Sequence, residues 1–297
     1  MNIKLNPSEF IFDGSKKFNI DKSKTKVDEF YNDKSDYGQL SEEYAKEIDE
    51  LQSMMYAHNR YGLLVIFQAM DAAGKDSTIK HVMSGVNTHG VRVFAFKRPS
   101  INELEHDYLW RSNINLPERG CMTIFNRSYY EEVLVVKVHP EILETSQLLP
   151  SELLKDKEKL FKNRYTDIQN FEKYAHRNGL HIMKFFLHVS KKEQGKRMIE
   201  RIETLAKNWK FEEGDVKERA FWNDYMQAYE DCINNTASDF APWYVIPADD
   251  KKNMRLIVSQ LILEKLKSLK IEYPVVDHKR KAELEKFKQI ILDQDKD

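Results

Sequence analysis

The chain predicts an α/β fold, with five parallel strands in a central sheet, helices on both faces and a helical lid. Three observations carry that prediction. Compact apolar runs such as 62–67 (GLLVIF) read as strands buried on both faces of a parallel sheet. Helix-like stretches separate these runs, the alternation expected of α/β domains. Only 10 Gly and 8 Pro occur in 297 residues, too few for a turn-rich all-β chain.

Residues 1–40 are polar, rich in Lys, Asp and Ser, and read as an irregular N-terminal arm. Tyr44, Ile48, Leu51 and Met55 then fall at helical spacing, predicting a helix over 40–58 capped by Ser41. The first strand follows at 62–67, then a short loop and a helix over 77–83. Further strands are expected at 91–96, 122–125, 181–188 and 243–246. A basic helix-like segment spans 191–210, and an amphipathic helix covers 253–269. The tail, 277–297, is charged but sets Leu284, Phe287 and Ile291 at i, i+3 and i+7. It reads as a helix that docks on the body or joins copies in a homo-oligomer. With no repeat, low-complexity tract or linker, one domain is expected at 41–270. Its lid lies at about 190–225, and a helical tail follows at 271–297.

Composition excludes several classes. Lys plus Arg total 47 against 48 Asp plus Glu, a net charge of −1. A generic nucleic-acid coat is clearly basic, so no nucleic-acid partner is expected. An acidic disordered chain is clearly unbalanced. Two cysteines, Cys121 and Cys232, build no disulfide framework and suit a reducing compartment. The start lacks the apolar core of a secretory signal. Its apolar runs are shorter than the roughly 20 residues that cross a bilayer. The expectation is a cytoplasmic protein with no membrane partner. The nine histidines are scattered without a close pair, so no zinc site is expected. No G-x-S-x-G elbow is present.

Four segments carry chemistry. The first, 69–77 (AMDAAGKDS), lies between a strand and a helix and reads as a variant phosphate-binding loop. The backbone of Ala72, Ala73, Gly74, Lys75, Asp76 and Ser77 would wrap an anion at the helix N-terminus. Gly74 permits close approach, and Lys75 supplies positive charge. Asp71 inside such a loop repels phosphate unless it holds Mg²⁺ or orients a reacting group. The second, 125–132 (FNRSYYEE), follows a strand, where ligands of open α/β sheets bind. Arg127 would clamp phosphoryl oxygens. Asn126 stands where such enzymes often have a metal-binding Asp, and Glu131 and Glu132 follow a turn later. The third, 96–100 (FKRPS), adds Lys97 and Arg98, held extended by Pro99. The fourth, 191–210, holds seven Lys or Arg against three Glu. In it Arg197 and Arg201 share one helix face, which suits a polyanionic substrate.

The order of these segments is more specific than any one of them. MDAAGKDS, FKRPS and FNRSYYEE are followed by SKKEQGKRMIERI, KNWKF, FWNDYMQAYEDCI and APWYVIPADDK. From about residue 40 to about 269 the chain resembles the polyphosphate kinase 2 family. That resemblance implies a P-loop kinase fold similar to thymidylate kinase, with a helical lid. It also implies Mg²⁺-dependent phosphoryl transfer between inorganic polyphosphate and a nucleotide. With Asn126 and Glu131, the FNRSYYEE segment looks like the members that carry AMP and ADP onward to ATP. By position, Asp71 matches the family's catalytic loop aspartate and metal ligand, Lys75 its loop lysine and Arg127 its strand-three arginine. Lys97 or Arg98 matches the basic residue after strand two, and Arg197 and Arg201 match the lid arginines. Asn126, Arg127 and Glu131 face the nucleotide on this reading. Two alternatives stand beside it: an ATP-dependent kinase of a nucleotide or small metabolite, and a non-catalytic polyanion-binding protein.

Overall fold

The architecture comes from a computed structural model that describes residues 6–145 and 147–295. Five parallel strands form where the apolar runs lie: β2 (Gly62–Gln68), β3 (Val91–Ala95), β4 (Met122–Asn126), β5 (Leu180–His188) and β6 (Trp243–Pro247). All seven residues of β2 and all five of β6 are buried, as continuous apolar strands require. The edge strand β3 is half exposed.

The sheet has six strands, not five, in the order β1-β6-β5-β2-β4-β3. The extra strand, β1 (Ile11–Phe12), comes from the arm and pairs antiparallel with β6, Ile11 opposite Tyr244 and Phe12 opposite Trp243. Two residues show no readable period, and what holds them is remote in sequence. Phe10, Phe18 and Ile20 are buried in the core. Asn234 bonds both the N–H and the carbonyl of Phe18 (2.8 and 3.0 Å), and Glu230 accepts from the Ile20 N–H (2.8 Å). Asn253 accepts from the Phe30 N–H at 2.9 Å and donates to the Asp28 carbonyl at 2.8 Å. The expected irregular arm is therefore held between Phe18 and Phe30 by side chains of two later helices. Residues 1–5 of that arm lie outside the described residues.

Eight longer helices matter below: α1 (Lys34–His58), α2 (Lys75–Val82), α3 (Lys157–Arg177), α4 (Lys191–Glu203), α5 (Glu213–Ala220), α6 (Trp222–Thr236), α7 (Lys251–Ser268) and α8 (His278–Gln294). The first begins six residues before the expected start. Asp33 caps it by accepting from the N–H groups of Ser35 and Asp36. Ser41, the expected cap, bonds the Tyr37 carbonyl one turn back. The basic segment 191–210 is not one helix. It stops at Glu203, Thr204 is extended, and a short turn at Asn208–Lys210 leads to α5.

Chain order fixes where a ligand can sit. From β2 the chain goes to one side (β3, β4), then to the other (β5, β6). The crevice at the carboxyl end of β2, between β4 and β5, is the switch point where open α/β sheets bind ligands. The loop after β2 opens into it.

Candidate active site

The loop 69–74 takes its shape from two left-handed residues, Ala72 (φ 61°) and Gly74 (φ 109°). At Gly74 this conformation is free of the Cβ clash, and a side chain there would also crowd the Met254 methyl at 3.3 Å. Lys75 opens α2 and folds back, its ammonium donating to the Ala69 carbonyl at 2.8 Å. Burial, and then the neighbouring Arg127, lower its pKa below the usual 10.5, against the opposing pull of Asp71, Glu131 and Asp76. Ser77 turns inward and bonds the Gly74 carbonyl (3.0 Å).

Arg127 is the second left-handed non-glycine residue at the site (φ 64°). This costs on the order of 1–2 kcal/mol. Its N–H extends the ladder to the Phe67 carbonyl (3.0 Å), and the turn throws the side chain over the crevice. There the guanidinium lies 3.2 Å from Glu131 Oε2 and 3.0 Å from Asp71 Oδ1. Glu131 foremost, with Asp71, raises the Arg127 pKa against the partial desolvation of the crevice. Asn126 donates to Asp76 Oδ1 at 2.6 Å. The amide in the metal-Asp position thus ties strand β4 to the start of α2.

A cavity of about 540 Å³ opens above these residues. Its walls include Asp71, the loop 72–77, Lys97, Asn126, Arg127, Arg197 and Arg201. Of the two basic residues after β3, Lys97 is in the wall and Arg98 is not; the Lys97 carbonyl is pinned by Arg111 (3.0 Å). Glu131 reaches the site through Arg127. Glu132 turns away: it is half-buried against Arg164 (3.1 Å) and also accepts from Gln147. The sequence reading did not assign Lys207 or Lys251 to the site, yet both line the cavity. Lys207 was legible as part of the basic segment. Lys251 ends the APWYVIPADDK segment, but nothing in that segment assigned it a role, and the fold brings the start of α7 to the cavity.

Arg197 is placed here but employed differently from expectation. It is buried, and its donors are all taken by protein. They go to Glu193 (2.8 Å), to the carbonyls of Ala73 (2.8 Å) and Ala72 (3.5 Å), and to those of Ala248 (2.7 Å) and Asp249 (2.9 Å). It buttresses the back of the loop and in this arrangement offers no N–H to a phosphate. Gln194 adds a bond to the Asp71 carbonyl (3.1 Å), and Arg219 of α5 donates to Gln194 (2.6 Å). Gly195 makes room for Arg219, since a Cβ there would meet its guanidinium at 3.0 Å. Arg201 stays half-buried, 3.3 Å from Asp215 of α5.

Below the FNRSYYEE turn lies a buried network that sequence reading missed. Glu172 of α3 accepts from the hydroxyls of Tyr129 (2.8 Å) and Tyr130 (2.7 Å) and from Lys184 of β5 (2.7 Å). Lys184 also donates to the Thr236 carbonyl (2.8 Å). The available signal was one lysine inside the otherwise apolar HIMKFFLH strand.

These features define an α/β protein with a tight strand-to-helix loop, a lysine and an arginine at the switch point of its sheet. The chain belongs to the polyphosphate kinase 2 family, whose model (Polyphosphate kinase 2, PPK2) matches residues 31–274. It is 48% identical to the ADP-polyphosphate phosphotransferase of Rhodopseudomonas palustris, over 98% of this chain and all of that one. It is 42% identical to the AMP/ADP-polyphosphate phosphotransferase of Meiothermus ruber, over 77% of this chain and 80% of the relative. The crystal structure of Polyphosphate Kinase 2 from Arthrobacter aurescens TC1 superposes with a TM-score of 0.84 at 33% identity, covering 96% of this chain and 97% of that one. Among the described residues, no helix is long and apolar enough to cross a membrane.

Proposed function

We propose that this protein is a polyphosphate-dependent nucleotide phosphotransferase, moving phosphoryl groups reversibly from inorganic polyphosphate to AMP and ADP, with ADP and ATP as products. The observation that carries this is the convergence of Lys75, Lys97, Arg127, Arg201, Lys207 and Lys251 on one cavity that also holds the Asp71 carboxylate. A site built only to hold a polyanion gains nothing from that carboxylate. The names of the relatives from Rhodopseudomonas palustris and Meiothermus ruber support the same reading.

On this reading the frame is a P-loop kinase fold of the thymidylate kinase type. The lid, α4, α5 and the start of α6, closes over polyphosphate and opens for release. Polyphosphate lies along the lysines and Arg201, which screen its charge. The acceptor's phosphate oxygen attacks the terminal phosphorus in line. One P–O bond forms as the terminal anhydride bond breaks, and the shortened polyphosphate leaves with the bonding electrons. Arg127 has both carboxylate partners within reach and can move a donor onto the transferring group as negative charge spreads there. Asn126, Arg127 and Glu131 face the acceptor nucleotide.

Mg²⁺ fits the donor set. Asp71 and Asp76 place carboxylates on the cavity wall, and Mg²⁺ is typically bound by one or two carboxylates plus substrate phosphates and water. Asp71 would hold it, and the ion would supply neutralisation of the phosphate oxygens. The remaining work is positioning by the chain's own residues.

The test is chromatography of nucleotides after incubation with Mg²⁺, long-chain polyphosphate and AMP. ADP followed by ATP is the expected result. ADP alone, or ATP formed only from ADP, would narrow the acceptor range. Turnover with ATP but not polyphosphate as donor would move the protein to the ATP-dependent kinases. Polyphosphate binding without any nucleotide product would leave a polyanion-binding protein.

A further inference from the structure

The lid helix α5 buries none of its residues, so its side-chain contacts decide where it sits. Asp215 and Arg219 hold it to α4, inside the lid. Asp215 lies 3.3 Å from Arg201, and Arg219 donates to Gln194 (2.6 Å) and to the Lys191 carbonyl (3.0 Å). Glu218 reaches out of the lid, its Oε2 2.9 Å from Nε2 of His139. A carboxylate oxygen accepts, so Nε2 is the donor. The Tyr225 hydroxyl of α6 donates to the same oxygen at 2.6 Å.

His139 belongs to the other half of the site. It follows the turn Tyr129–Val133 and a short helix, Val135–Val138, which continue directly from Arg127. Its ring meets Phe221 edge to face, with centroids 4.8 Å apart, and Tyr225 at 6.4 Å. Only 16% of the side chain is exposed. Nδ1 lies 3.3 Å from Glu141 of its own segment. Arg219 runs the other way: through Gln194 it ends on the Asp71 carbonyl (3.1 Å). Two adjacent residues of one exposed helix thus join it to both sides of the site, Glu218 to the acceptor turn and Arg219 to the loop after β2.

We propose that His139 and Glu218 are positioning residues that latch α5 to the segment carrying Asn126, Arg127 and Glu131, so that the lid closes in register with the acceptor side. Neither residue lines the cavity. The inference rests on the proposed transfer only for what the lid covers; the latch itself is a property of the free protein.

Hydrogen exchange on the full-length free protein tests the latch. His139→Leu keeps the bulk but removes the donor. Amides of 213–220 should then exchange about tenfold faster, the scale of one hydrogen bond to a charged group. Those of β2 should not change. Unchanged exchange over 213–220, or equal acceleration in β2, overturns the proposal. His139→Gln places an amide donor near the position of Nε2 and should stay within about twofold of the parent. Exchange as fast as in His139→Leu would show that the Glu218 bond is not what holds α5. Glu218→Ala sits on an exposed helix and keeps the test open should His139→Leu fail to fold. It should match His139→Leu, and the double variant should go no further than either, whereas additive effects refute the pairing.

Turnover gives a second readout. With AMP and long-chain polyphosphate, His139→Leu should raise the KM for polyphosphate about tenfold and leave kcat within about threefold. A loosened lid weakens binding without removing a reacting group. His139→Gln should restore the KM. A loss of kcat at unchanged KM overturns the proposal. A parent chain that transfers no phosphoryl group would refute the proposed function, and the exchange result would still decide the latch.

Discussion

Arg127 and Lys184 are both cations held against a glutamate, one at the carboxyl end of the sheet and one in its middle. The Arg127 side chain keeps 40% of its surface open and reaches two half-covered carboxylates, one bond to each. Lys184 and Glu172 are fully enclosed, and Glu172 also takes two tyrosine hydroxyls. The first set can exchange a protein carboxylate for a phosphate oxygen without exposing an unpaired charge. The second cannot, since an enclosed ion that loses its partner has no solvent to turn to. On the proposed function, the charges that act are half-open and those that build are closed. Arg197 has the chemistry of the first set and the saturated bonding of the second.

The largest separation between the sets should come from Arg127→Ala. Loss of an arginine at the transferred group lowers kcat by about 10³–10⁵ in phosphoryl transfer. The thermal midpoint should stay near that of the parent, because the side chain is part-exposed. A variant with near-normal kcat would take Arg127 out of the chemistry. Lys184→Met should do the reverse. Stranding Glu172 costs about 3–5 kcal/mol, read by urea denaturation, while the protein that remains folded keeps most of its kcat. A change below about 1 kcal/mol would mean that the tyrosines alone satisfy Glu172.

Arg197→Lys decides on which side Arg197 belongs. Lysine keeps the charge but cannot span the carbonyls of Ala73, Ala248 and Asp249 at once. If Arg197 acts by bracing the loop, kcat should fall about 10²-fold, the scale of an ångström-level misplacement. The same exchange at Arg201 should change little beyond the KM for polyphosphate. If Arg197→Lys keeps its kcat, Arg197 serves as charge and the buttress reading fails.

This division also marks what was legible in the sequence. The four inner parallel strands announced themselves because burial on both faces demands apolar runs, while the half-exposed edge strand β3 showed only a short apolar segment. The loop 69–77 and the 125–132 turn were legible because the chemistry is local to each. Strand β1 was not, since two residues carry no period and Asn234, Glu230 and Asn253 hold the arm from more than two hundred positions away. Lys97 and Arg98 were indistinguishable until the turn chose between them. Arg197 and Arg201 share a helix face, and charge counting weighs them alike. Only the carbonyls brought from 73, 248 and 249 show that one is spent.

The smallest effect is a pH shift, and it tests a buried cation that lies beside the half-open set. Lys75 sits below its usual 10.5 because burial and Arg127 disfavour its charge. In the free protein it therefore gives up its proton at a lower pH than an ordinary lysine does. Bound polyphosphate brings negative charge to the ammonium and must raise that value again, since whatever binds the charged form stabilises it. The alkaline limb of kcat/KM reports the free enzyme and that of kcat the complex. The kcat/KM limb should thus fall below 10.5 and below the kcat limb. Lys251 is also lowered, by burial and by Arg197, so the profile is repeated in Lys251→Gln, where the separation should persist. Coincident limbs in that variant would show that Lys75 gains no charge stabilisation from polyphosphate. The lysine would then belong with the charges that build the loop rather than with those that act.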